Sequence, residues 1–142
     1  MTDHPEQPQE QADRFARARE KQAVALLEDY VELIGDLIAD MGEARVADIA
    51  ERMGVAQPTA TKAIARLKRE GLATSRPYRG VFLTDQGAAL ADRVRARHRT
   101  VVQLLIAVGV PPETAELDAE GIEHHVSKAT LAAFDAFLAE KP

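Results

Sequence analysis

Residues 46 to 84 change their hydrophobic period from helical to strand-like within a short span, and few folds accept that order. Val46, Ile49, Ala50 and Met53 fall at three- and four-residue steps, the apolar side of a short helix. Gly54 then permits a tight turn, and Val55 fills the gap to the next helix. Ala60, Ala63, Ile64 and Leu67 predict that helix over 57–69, with Gly71 past its end. Pro58 is tolerated there because the first turn leaves its N–H groups unbonded. LATSRP and GVFLT follow as two β-like runs joined around Tyr78, Arg79 and Gly80. Helix, turn, helix and hairpin in that order predict a winged helix-turn-helix.

Upstream, Val24, Leu27, Val31, Ile34, Ile38 and Met41 predict a long amphipathic helix over 23–41. The Gln-, Pro- and charge-rich residues 1–22 are expected to be a disordered arm passing into a frayed helix. Downstream, Thr84 is an N-cap for a helix over 85–107. Pro111 and Pro112 open another, running to about His125, and Ser127 caps a last one over 128–140. The expected fold is therefore mainly α with a small β-hairpin wing, organised as an arm (1–22), a winged unit (23–84) and a helical unit (85–142).

The absence of cysteine excludes disulfides, thiolate metal sites and a cysteine nucleophile. No apolar run approaches the roughly 20 residues of a membrane span, and the N-terminus has no signal-peptide centre. A soluble, cytoplasmic chain is expected. Net charge is −5, which alone argues against a general nucleic-acid binder, but the charge is segregated. Residues 1–44 carry 4 basic and 11 acidic groups, residues 45–80 carry 8 and 3, and residues 81–142 carry 6 and 9. A basic block between two acidic ones suits a polyanion surface in the middle, although solvated charge with no partner accounts for it equally.

With Ile64 and Leu67 facing the core, the third helix must turn Gln57, Thr59, Thr61, Lys62 and Arg66 largely outward. A helix in the major groove reads bases near its N-terminal end, which makes Pro58, Thr59 and Lys62 base-contact candidates, with Thr61 and Arg66 better placed for phosphates. Arg76, Tyr78 and Arg79 on the hairpin would lie on the backbone or enter the minor groove. Ala56, at the N-cap, supplies no side-chain acceptor.

Asp29, Glu32, Asp36 and Asp40 share a narrow arc of the first helix, either a solvated stripe or part of a site. Glu120, Glu123 and His124 fall at i, i+3 and i+4, and His98 lies on the preceding helix among four arginines. Carboxylates with imidazoles and no thiolates suit a hard or borderline divalent ion, Mn²⁺ or Fe²⁺ ahead of Cu⁺. HExxH, HxxEH, a Gly-rich phosphate loop and a nucleophile elbow are all absent, so no enzyme and no organic substrate are expected.

LLEDYVELI, EARVADIAERMGV, TKAIARL, PYRGVFLT and DAEGIEHHVS together resemble the manganese-responsive branch of the diphtheria-toxin-repressor family, the manganese transport regulators. The likeness runs from about Leu26 to Leu138. It implies an N-terminal winged helix-turn-helix followed by a helical dimerisation and metal-binding domain. The ligands it implies are Asp29, Glu32, His98, Glu120, Glu123 and His124, holding two Mn²⁺ per subunit, with Asp36 and Asp40 left as solvated face. It also implies that His125 supports the site or caps its helix rather than ligating. Iron-responsive relatives carry Met where Asp29 stands. The implied activity is a homodimeric, Mn²⁺-dependent transcription factor that binds a pseudo-palindromic double-stranded operator and represses manganese-uptake genes. An iron-responsive winged-helix regulator, or a metal-binding dimer without regulatory output, is the alternative.

Overall fold

The computed structural model describes residues 4–140. Six helices and one hairpin follow in the order α1 (Pro8–Met41), α2 (Val46–Met53), α3 (Gln57–Arg69), β1 (Ala73–Arg76), β2 (Gly80–Leu83), α4 (Asp85–Ala107), α5 (Pro112–Ile122) and α6 (Lys128–Glu140). Among the described residues, no helix is long and apolar enough to cross a membrane.

Two departures from expectation concern helix ends. α1 starts at Pro8 rather than near residue 23. Pro8 occupies the first turn, the Gln7 N–H donates to the Glu10 carboxylate at 3.1 Å, and Gln9 bonds Asp13 one turn on at 2.9 Å. Polar composition here marks a helix exposed on every side and held by local pairs; of the expected arm, residues 4–7 have no regular structure and 1–3 lie outside the described residues. α5 ends at Ile122 instead of reaching His125. Ser127 already accepts the Thr130 N–H to start α6, so the chain must turn in the few residues between.

The core of the first half gathers Leu27, Tyr30, Val31, Ile34 and Leu37 of α1 against Ile49, Ile64 and Leu67 of the helix-turn-helix, with Val81 of the wing. Each such side chain stabilises the fold by about 1.5–3 kcal/mol when fully buried. A second cluster joins Val101 and Val102 of α4 to Ala115 and Ala119 of α5, with Leu131 of α6 against it. α4 thus contributes Ala91 to the first core and Val101 to the second.

β1 and β2 pair antiparallel, Ala73 opposite Leu83 and Arg76 opposite Gly80. The hairpin is also joined to the segment after α1, because the Val81 N–H donates to the Ala44 carbonyl at 2.8 Å. Gly80 allows this approach: at φ +90° any Cβ would lie 2.5 Å from that carbonyl oxygen. At the other end of the wing, Thr84 donates its hydroxyl to the Gly71 carbonyl and accepts the Gly87 N–H. A Cβ on Gly87 would meet the Leu72 carbonyl oxygen at 2.0 Å, and backbone cannot step aside as a side chain can. Gly87→Ala is therefore expected to destabilise the protein by at least about 3 kcal/mol, lowering Tm by about 10 °C in a thermal melt. An unchanged melt would disprove this packing of α4.

Candidate functional site

Two surfaces carry chemistry, one basic and one acidic. On the basic one, Ala60, Ile64 and Leu67 are buried while Gln57, Pro58, Thr59, Thr61 and Lys62 are exposed along the opposite side of α3. Arg66 is half-buried and paired with Glu70 at 3.3 Å. Ala56 is the N-cap, with no side-chain bond. On the wing, the Arg76 guanidinium stacks over the Phe82 ring, 4.8 Å from its centroid. Tyr78 stands at the tip, 95% exposed, with left-handed φ of 64°. A bulky residue rarely adopts that conformation. Arg45, which the sequence did not single out, reaches from the start of α2 to donate to the Tyr78 carbonyl at 3.3 Å.

On the acidic surface α1, α4 and the end of α5 converge. Atoms of Asp29, Glu120 and His124 lie within 4.8 Å of one another, and so do atoms of His98, Glu120 and Glu123. Glu120 belongs to both groups. Glu32 lines a small cleft with Asp29, Asp36 and Glu120. Asp36 is not free solvated face: it pairs with Arg95 of α4 at 2.8 Å. Asp40 is exposed, as expected, and so is His125.

The electrostatics are those of a site short of positive charge. Burial, with repulsion from Glu120 and Asp36, raises the Glu32 carboxyl above its ordinary value. Burial pushes the fully enclosed Glu123 up to about 7, with His98 opposing and Glu120 adding to the rise. His124 is pushed up to about 10, first by the Asp29 carboxylate and then by Glu28, against the effect of burial. His98 is raised as well: burial lowers it, and Glu116, Glu123 and Glu120 more than offset that. Glu123 Oε1 and His124 Nε2 are shielded from solvent and make no hydrogen bond. Nε2 lies 2.8 Å from Asp29 Oδ1 and 3.3 Å from Glu123 Oε1 without hydrogen-bond geometry to either. Buried polar atoms that meet only other ligand-type atoms, without hydrogen-bond geometry, fit a divalent cation, and four oxygen-donating side chains with two imidazoles fit a hard or borderline one.

Residues 23–81 match the iron dependent repressor N-terminal DNA binding domain, and residues 84–141 match its metal binding and dimerisation domain. The transcriptional regulator MntR of Escherichia coli is 50% identical over 129 residues, spanning 91% of this chain and 83% of that protein. The chain belongs to the MntR transcriptional regulators of the diphtheria-toxin-repressor family. As a member it is a metal-dependent, DNA-binding transcriptional regulator with a dimerisation domain. The HTH-type MntR of Lysinibacillus sphaericus is 43% identical over 71% of this chain and 73% of that one. A solved manganese-dependent transcriptional repressor in complex with manganese superposes with a TM-score of 0.66 at 30% identity, over 78% of this chain. This chain spans about half of that longer one, 51%.

Three residues of the acidic region were not singled out by the sequence. Glu28 is 5% exposed, between Arg97 and His124, and Glu116 lies against His98. Glu28 left one signal, a charge between the buried Leu27 and Val31 on the core side of α1. Arg97 is one of four arginines beside His98, and nothing in the sequence set it apart.

Proposed function

We propose that this chain is a homodimeric, cytoplasmic repressor of manganese-uptake genes that binds its operator when two Mn²⁺ ions are held per subunit by Asp29, Glu32, His98, Glu120, Glu123 and His124. The observation that carries the reading is that two groups of carboxylates and imidazoles share Glu120, so that this one side chain would help hold the metal in both. Mn²⁺ would supply the positive charge that joins the carboxylates of α1 to those of α5 and to His98 of α4. Asp29 and Glu32 sit on the same helix that packs against the helix-turn-helix, whereas His98, Glu120, Glu123 and His124 belong to the second half. Holding the two sets together narrows the orientations open to the reading head. Without that link the same basic surface samples more positions, and affinity falls by the fraction of time it spends in the wrong ones. Two heads across a twofold axis suit a pseudo-palindromic operator.

The test is an operator titration at fixed salt, in chelator and in saturating Mn²⁺. Affinity is expected to rise at least about tenfold with the metal, or about 1.4 kcal/mol. Equal affinity in both would end the regulatory reading.

Within the head, α3 is assigned to the major groove and the wing, through Arg76, Tyr78 and Arg79, to the backbone or minor groove. Lys62→Ala is expected to lose about 1–3 kcal/mol of discrimination between operator and random duplex, while Arg79→Ala weakens both alike. Mn²⁺ binding should survive either change. Unaltered sequence preference in Lys62→Ala would remove α3 from the groove.

A further inference from the structure

Two carboxylates outside the six assigned ligands lie against the two histidines, and both do so on the same side relative to the cluster. Glu28 Oε1 is 3.1 Å from His124 Nδ1, while His124 Nε2 faces Asp29 and Glu123 at 2.8 and 3.3 Å. Glu116 Oε2 is 2.7 Å from His98 Nε2, while His98 Nδ1 faces Glu123 and Glu120 at 2.6 and 3.6 Å. Each ring therefore turns one nitrogen inward and is met by a carboxylate on the other.

A neutral imidazole carries one N–H and one lone pair, so an acceptor on the outer nitrogen keeps the proton there and leaves the lone pair for a cation. The two carboxylates differ in how firmly they can do this. Glu28 is buried, one oxygen against His124 and the other against the Arg97 guanidinium of α4, so its position is set from both sides. Glu116 is exposed on α5, where water can take its place. We propose that Glu28, braced by Arg97, and more weakly Glu116 are positioning residues that fix which nitrogen of His124 and of His98 is offered to the metal. The inference rests on the reading of this cluster as a divalent-metal centre.

The test uses the full-length protein, Mn²⁺ titration calorimetry, and nitrogen NMR of labelled histidines with ¹¹³Cd²⁺ as a diamagnetic probe. In the unaltered protein, metal–nitrogen coupling is expected at His124 Nε2 and His98 Nδ1. Glu28→Leu should weaken Mn²⁺ binding about 10- to 100-fold and spread the coupling over both nitrogens of His124. Glu28→Gln keeps only one acceptor, which the Arg97 guanidinium takes, so its amide N–H meets His124 Nδ1; the coupling should leave Nε2 and affinity should fall as in Glu28→Leu. Glu116→Leu should do to His98 what Glu28→Leu does to His124, with a loss under about tenfold.

A folded Glu28→Leu dimer with unchanged coupling and affinity within about twofold overturns the proposal. So does a Glu28→Gln variant that binds Mn²⁺ weakly yet keeps the single coupling at His124 Nε2, since charge at the metal and not ring orientation would then be what Glu28 supplies. If Glu28→Leu fails to fold, Glu116→Leu decides, because its exposed side chain can be lost without disturbing a core. Unchanged coupling and affinity there count against the proposal. An unaltered protein that binds no Mn²⁺ refutes the metal centre itself, whereas normal binding insensitive to Glu28 and Glu116 refutes only the positioning role.

Discussion

Glu120→Ala is expected to bind operator no more tightly in saturating Mn²⁺ than in chelator. Glu120 is the one side chain common to both groups, so its loss removes a donor from each at once. Removing partners that only support a ligand typically costs 10- to 100-fold in metal affinity, so losing a shared ligand should cost at least about 100-fold. The variant carries a second signature. Glu120 repels the Glu32 and Glu123 carboxyls but attracts His98, so the two effects oppose and the metal-free variant should melt close to the parent. Calorimetric melts with and without Mn²⁺ check this: the parent gains stability on adding the ion and the variant does not. Asp118→Ala, exposed on the same helix, is the control and should retain the full response. A Glu120→Ala protein that still responds to Mn²⁺ would remove Glu120 from the ligand set.

The second large effect concerns which metal is accepted. Asp29 presents an anionic oxygen 2.8 Å from His124 Nε2. Mn²⁺ is weakly held by most sites, and a hard carboxylate favours it where a thioether does not. Asp29→Met removes a negative charge and adds a soft donor, so operator binding should lose its Mn²⁺ response while Co²⁺ or Fe²⁺ keeps or gains in relative effect. Asp36→Met, two turns along the same stripe and paired with Arg95, should leave the order of metals unchanged. The two variants behaving alike across Mn²⁺, Fe²⁺ and Co²⁺ would show Asp29 to be ordinary surface.

The periodic elements were legible because their boundaries carry their own chemistry. Thr84 and Ser127 cap the helices they precede, Gly42 and Gly54 close the helices they follow, and the GVFLT run pairs with LATSRP in the expected hairpin. The start of α1 was not legible, because a helix exposed all round has no apolar period, and its polar residues match those of an unfolded segment. The acidic surface was half legible. Spacing brought out Glu120, Glu123 and His124, but no local rule could say that Glu28 and Arg97, 69 residues apart, would meet. Nor could spacing show that Asp36 is tied to Arg95 rather than solvated.

The bond between Val81 and Ala44 makes the wing and the end of α1 one mechanical piece. From Asp29 to Met41 the helix rises about 18 Å, at about 1.5 Å per residue. Were α1 to tilt by about 10° at the acidic cluster, its far end would move by about 3 Å, close to the spacing of successive base pairs along a duplex, about 3.4 Å. Joined to that end, the wing would move with it, whereas a hairpin free to hinge at its base would absorb the motion.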